Sequence, residues 1–278
     1  MKLDIRHGVH PEDSMFYDTA ALRDRYLVGR VFERDEFLLT YTHADRLVFG
    51  GIMPADKLLE LGKVQELRTA FFLEGREMGV INIGGEGVIV CDGQEFTLAP
   101  KEGLYTGMGT RSVVFKSADA ANPAKFYMAS APAHHRYPTK HIALELTGLS
   151  ALGAQKSCDK GTLRKYLSPA VLQTCQLQMG MTALEEGNVW NTMPCHVHER
   201  RTETYLYFGM SADDAVFHIL GEPGETRHIV VRNEQAVISP GWSVHCGCGT
   251  SAYAFIWATC GENQIDDDLD AVKTRHLR

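Results

Sequence analysis

The stretch Asn191-Thr-Met-Pro-Cys-His196-Val-His198-Glu-Arg-Arg-Thr-Glu203 carries two histidines two residues apart and a carboxylate five residues further on. Side chains alternate along an extended chain, so His196 and His198 project to the same face. Glu203 lies at an odd step, which would point it away on an unbroken strand. A turn at Glu199-Arg200-Arg201 repairs this by starting a new antiparallel strand, whose inward face then holds Glu203, Tyr205 and Tyr207. A third histidine, His245, follows the Pro240-Gly241 pair and must return across the fold to join them. Three imidazoles and a carboxylate make the N/O donor set that transition metals take up. A metal held by them would acidify a C–H bond between two substrate oxygens and stabilise the negative charge that develops there.

Such chemistry also needs a general acid and base within about 3 Å of the reacting carbons. Glu203, Tyr205 and Tyr207 are candidates by parity, and Glu262 in Gly261-Glu-Asn-Gln is another. Arg200 and Arg201, at the turn between the ligand strands, carry the planar fork that binds a carboxylate bidentately and are the candidate substrate contacts. The remaining histidines, His218 among them, are read as surface or satisfied core residues. Ligand types alone leave zinc, manganese, iron and nickel open. They also leave open an isomerase, an iron-dependent dioxygenase and a non-catalytic sugar-binding protein.

These residues need rigid strands to hold them. Trp190, Thr192, Pro194, His196 and His198 share one parity, which predicts a single regular strand with one face inward. Elsewhere short runs rich in β-branched and aromatic residues, such as Gly79-Val-Ile-Asn-Ile and Gly87-Val-Ile-Val-Cys, are punctuated by glycine, the pattern of an all-β sandwich or barrel. Asp92-Gly93 predicts a hairpin turn, and Asp18 caps a short helix beginning at Thr19. A further short helix is expected at Thr162-Leu-Arg-Lys-Tyr-Leu. Residues 92–110 align without a gap on 232–250, matching Pro100 with Pro240, Gly107 with Gly247, Gly109 with Gly249 and Thr110 with Thr250. The chain therefore reads as a duplicated barrel: a lead-in at 1–50, a metal-free half at 51–130, a connection at 131–170 and a metal-binding half at 171–278. Tyr105 takes the place of His245 in this alignment, and one metal per chain is expected.

Composition narrows the partners. A formal charge of −7 argues against nucleic acid, which requires a basic footprint. No apolar run approaches the roughly 18 residues that span a bilayer, and no secretory signal is visible, so a cytoplasmic protein is expected. The seven cysteines are an odd number without framework spacing, hence reduced thiols. Cys195, Cys246 and Cys248, beside the ligands, are read as small apolar residues.

The pattern His196-x-His198-x4-Glu203-x5-Gly209 with Pro240-x4-His245 resembles the two-part cupin motif. Longer runs resemble the bacterial 5-keto-4-deoxyuronate isomerase family: Gly50-Gly-Ile-Met-Pro, Gly79-Val-Ile-Asn-Ile-Gly-Gly, Trp190 through Arg201, Arg227-His-Ile-Val, Asn233 through Pro240, and Phe255-Ile-Trp through Gln264. The resemblance implies a bicupin, usually a homohexamer, that interconverts an acidic aldose and ketose in cytoplasmic uronate breakdown. It also implies His196, His198, Glu203 and His245 as zinc ligands.

Overall fold

In a computed structural model, described for residues 1–265 and 267–278, the chain divides into two compact units. The first comprises Met1–Arg6, Val31–Thr147 and Tyr166–Gln178; the second comprises His7–Arg30, Gly148–Lys165 and Met179–Arg278. The lead-in is thus shared between the units, and so is the segment 131–170.

Each unit is a jelly roll of two facing sheets. In the second unit one sheet carries, in order, Gln178–Leu184, Ala254–Gly261, Arg201–Phe208 and Gln235–Ser239. The other carries Trp190–Asn191, Cys246–Gly249, Val216–Glu222 and Glu225–Val231. The first unit repeats this connectivity strand for strand. Val48–Ile52, Phe126–Pro132, Arg76–Asn82 and Gly103–Thr106 form one sheet; Leu59–Glu60, Val113–Ser117, Gly87–Cys91 and Gln94–Leu98 form the other. Closure of two such sheets on an apolar interior is what the alternating, glycine-broken sequence predicts. In the first unit Phe37, Phe115 and Phe126 interlock between the sheets, with ring centroids 5.8 and 5.5 Å apart.

The duplication corrects the alignment that suggested it. By connectivity Gln94–Leu98 corresponds to Glu225–Val231, and Gly103–Thr106 to Gln235–Ser239. The ungapped match of 92–110 to 232–250 is therefore displaced by one strand. Tyr105 does not stand at His245's place: it pairs across to Gly79 on the strand equivalent to that of Glu203. That strand carries a buried glutamate too, Glu77, whose carboxylate is fully committed. It accepts the Tyr105 hydroxyl at 2.8 Å and the backbone amides of Cys175, Gln176 and Leu177, each at 2.8 Å. The first unit uses its glutamate to fasten a chain segment.

Local signals fare unevenly. Asp92 and Gly93, both at positive φ, turn the hairpin between Gly87–Cys91 and Gln94–Leu98. The Asp18 carboxylate accepts the Ala21 amide at 2.8 Å and caps the helix Thr19–Tyr26. The helix expected at 162–167 is instead the strand Gly161–Leu167, laddered to Gly148–Leu152. Leu163, Arg164, Lys165 and Leu167 favour a helix, yet the segment follows the neighbour that offers it backbone hydrogen bonds.

Candidate metal centre

His196 and His198 do converge, but not along one regular strand. Thr192 adopts a left-handed φ of 54°, which breaks the extended run, and the segment splits into Trp190–Asn191 and His196–Val197. The turn that follows is present: the Arg201 amide donates to the His198 carbonyl at 3.0 Å, and Arg201–Phe208 then runs as a strand. Glu203, Tyr205 and Tyr207 share its inward face. His245 arrives just ahead of Cys246–Gly249 in the facing sheet.

The donor atoms of His196, His198 and His245 all lie within 4.8 Å of one another. Glu203 Oε2 is 2.9 Å from His198 Nε2 and 3.6 Å from His245 Nε2; the Nε2 atoms of His196 and His245 are 3.0 Å apart. Two donors bound to one ion at about 2.0–2.2 Å stand about 3–3.5 Å apart, so these separations suit a shared ion. The outward nitrogens set the tautomers. His198 Nδ1 donates to the Arg201 carbonyl at 2.9 Å, and His245 Nδ1 to the Ser243 carbonyl at 3.3 Å, leaving each Nε2 lone pair directed inward. Such lone pairs, with a carboxylate among them, repel one another unless a proton or a cation sits between.

Electrostatics agree with that placement. Burial raises the Glu203 carboxyl, but the His198 hydrogen bond and the charges of His245, His198 and His196 outweigh it and hold it at about 2. Burial drives His245 well below the ordinary imidazole range and lowers His196, so both present neutral nitrogens. At His198 burial is outweighed by Glu203, and the imidazole is raised. Burial, with Glu203 adding to it, pushes the Tyr205 phenol well above its usual value; Tyr207 is likewise raised by burial. Both stay protonated and can donate but not abstract.

The other expected residues sit less centrally. Arg200 Nε contacts both carboxylate oxygens of Asp268, at 2.7 and 2.9 Å, and Arg201 donates to the Asp268 carbonyl at 3.0 Å. The arginines therefore grip the 262–270 segment. Glu262 is exposed, with its amide on the Arg200 carbonyl at 3.0 Å. Cys195 and Cys246 pack as buried apolar residues against Val244.

His218 is the residue that the sequence reading misjudged. It is fully buried, with Nδ1 2.8 Å from the Tyr207 hydroxyl and Nε2 without a hydrogen-bond partner among the described residues. Burial pushes it down to about 3, against a weaker upward pull from Glu203. A depressed imidazole contributes stability above the unfolded value near 6.5 that is lost as pH falls towards 3. In metal-free protein, denaturant titrations are thus expected to show His218 costing about 1.4 kcal/mol of stability per unit below pH 6.5. His218→Phe should make that slope shallower by this amount; an unchanged slope counts against a neutral buried His218.

Gly247 makes the close packing here possible. A Cβ at that position would come 2.6 Å from Asn191 Oδ1, 2.9 Å from Val216 Cγ1 and 3.2 Å from the Tyr207 hydroxyl. Gly247→Ala is expected to destabilise the protein by about 1–3 kcal/mol, read as a lowered urea midpoint. An unshifted midpoint would mean that the layer relaxes freely.

Known proteins match this arrangement at two levels. A 4-deoxy-L-threo-5-hexosulose-uronate ketol-isomerase of Edwardsiella ictaluri is 51% identical over 278 residues, covering 99% of this chain and 100% of the relative. One of Escherichia coli is also 51% identical with the same coverage. Such full-length relatives support an isomerase. Among solved structures, an IolB-like protein of Salmonella typhimurium superposes with a TM-score of 0.74 at 13% identity, covering 90% of this chain and 97% of its own. A Bacillus subtilis oxalate decarboxylase with Mn(II) centres gives 0.55 at 9% identity, covering 79% and 70%. These two carry the cupin fold alone; it is the histidine cluster that suggests a metal site. No helix among the described residues is long and apolar enough to cross a membrane. Residues 27–275 match the KduI/IolB family, and the chain belongs to it.

Proposed function

We propose that the protein is a zinc-dependent aldose–ketose isomerase that converts 5-keto-4-deoxyuronate to 3-deoxy-D-glycero-2,5-hexodiulosonate in cytoplasmic pectin and uronate breakdown. The observation that carries the reading is the gathering of three imidazole donors within 4.8 Å of one another, with the Glu203 carboxylate 2.9 Å from His198 and 3.6 Å from His245, in a chain whose full-length relatives are ketol-isomerases. His196, His198, Glu203 and His245 would hold one zinc per chain. Bound there, zinc supplies Lewis-acid stabilisation of negative charge developing on adjacent substrate oxygens, without redox chemistry.

The chain's own residues divide the remaining work. Tyr205, packed at a tilt against Phe255 and His245 with centroids 5.2 and 5.6 Å away, is held as a protonated donor for a substrate oxygen. Tyr207 is the second phenol on that face. Glu262, one residue beyond the Arg201–Gly261 ladder pair, is the carboxylate candidate for the base. Arg200 and Arg201 are the candidates for the uronate carboxylate, which would compete with Asp268 for Arg200. A homohexamer fits the same reading. Metal-replete protein given the 5-keto-4-deoxyuronate should convert aldehyde to ketone without oxygen uptake or nicotinamide. Failure to do so sinks the isomerase reading, and substrate-dependent oxygen uptake would point to a dioxygenase instead.

A further inference from the structure

His218 lies on the strand Val216–Glu222, directly opposite Gly247 on the neighbouring strand. His245 is two residues before Gly247, so His218 and His245 occupy successive inward positions on adjacent strands of one sheet. Tyr205 faces both from the opposite sheet, its ring centroid 5.6 Å from each imidazole. Gly247 has no side chain to come between them.

The His218 ring is fixed. Its Nδ1 meets the Tyr207 hydroxyl at 2.8 Å, and Asn191 Oδ1 lies against the same glycine, Gly247, as that hydroxyl. Asn191 is itself held, its Oδ1 accepting the Tyr253 hydroxyl at 2.6 Å and its Nδ2 donating to Thr192 Oγ1 at 2.9 Å. When the protonated Tyr207 hydroxyl donates to Nδ1, the ring proton sits on Nε2. That Nε2–H is buried with no acceptor among the described residues. A buried donor left unmet carries a desolvation penalty that an arriving acceptor removes. Every other polar atom in this string has a partner.

We propose that His218 Nε2 is a substrate-binding donor, which takes an oxygen of the acidic sugar one inward position along from His245, and that Tyr207 is the positioning residue that fixes its tautomer. An acyclic six-carbon substrate has oxygens along its whole length, so one anchored at the ligand cluster can offer a second oxygen at this point. The role assigned to His218 rests on the isomerase reading for the identity of the substrate, but its geometry belongs to the chain alone.

The test uses the full, metal-replete chain with two variants. His218→Phe keeps the shape of the ring and removes both nitrogens; His218→Gln keeps a donor. Elemental analysis is expected to find wild-type metal content in both. For the acidic sugar, kcat/KM is expected to fall about ten- to a hundredfold in the Phe variant and far less in the Gln variant. A folded, metal-loaded Phe variant with wild-type kcat/KM overturns the proposal. A second readout is independent of turnover: in histidine-labelled protein, galactarate, which has no carbonyl to isomerise, should shift the His218 Nε2 nitrogen resonance. An unmoved resonance overturns the proposal even in an enzyme that turns over. A moved resonance in a protein without isomerase activity sinks the isomerase reading and leaves the His218 site standing. Should the Phe variant not fold, the Gln variant and the resonance decide.

Discussion

Replacing His245 with alanine is expected to leave the protein with less than roughly a tenth of a metal equivalent per chain and to lower kcat/KM about a thousandfold or more. The size of the effect follows from how His245 is held. It is fully buried, burial keeps it neutral, and the Ser243 carbonyl fixes its Nδ1, so Nε2 can only face the cluster. That nitrogen lies 3.0 Å from His196 and 3.6 Å from Glu203, closer to the centre of the set than a flexible surface ligand could stay. Alanine removes one of the four donors. Several kcal/mol of transition-state stabilisation from a bound metal would be lost with it. Elemental analysis and steady-state kinetics check this together. Full metal content in the variant contradicts the ligand assignment, whereas full activity with metal lost contradicts the role of the metal.

Glu203→Gln is the second large effect. The substitution keeps the shape of the side chain and removes its charge, a negative charge that acts on all three imidazoles. The carboxylate is held at about 2 by the histidines despite its burial, so it is ionised throughout the working range. Loss of the charge is expected to weaken metal binding about a hundredfold or more, measured by competition with a chelator of known affinity. It should also lower kcat/KM at saturating metal, because the amide cannot offset the charge of the ion. Thermal unfolding separates two outcomes. A metal that serves only the barrel would lower stability in step with its loss, whereas a catalytic one costs turnover more than fold. Unchanged affinity would remove Glu203 from the ligand set.

Much of this site was legible in the sequence because its donors are local and chemically distinctive. Two histidines at an even step and a glutamate beyond a turn need only strand parity and one reversal to converge. The all-β class was legible in the same way, from short β-branched runs broken by glycine. Failures came where position depends on distant partners. Proline, glycine and threonine recur at the ends of several strands, so the ungapped alignment slipped by one strand while still detecting a true repeat. In Val216–Glu222 both parities are apolar, with Val216, His218 and Leu220 on one and Phe217, Ile219 and Gly221 on the other. Nothing local says that His218 faces inward. Asp268, which holds Arg200, lies 68 residues away, so the commitment of that arginine is invisible at the turn itself. The commitment of Glu77 to the 175–177 amides is likewise a matter of tertiary contact.

The most direct measurement is a refilling titration. Protein stripped of metal by a chelator would receive zinc in known amounts, with bound metal and conversion of the acidic aldose to its ketose measured on the same samples. Turnover should be near zero in the stripped protein, rise in proportion to bound zinc and level off at one ion per chain. Full turnover in the stripped protein would contradict the account, as would a plateau at two ions per chain.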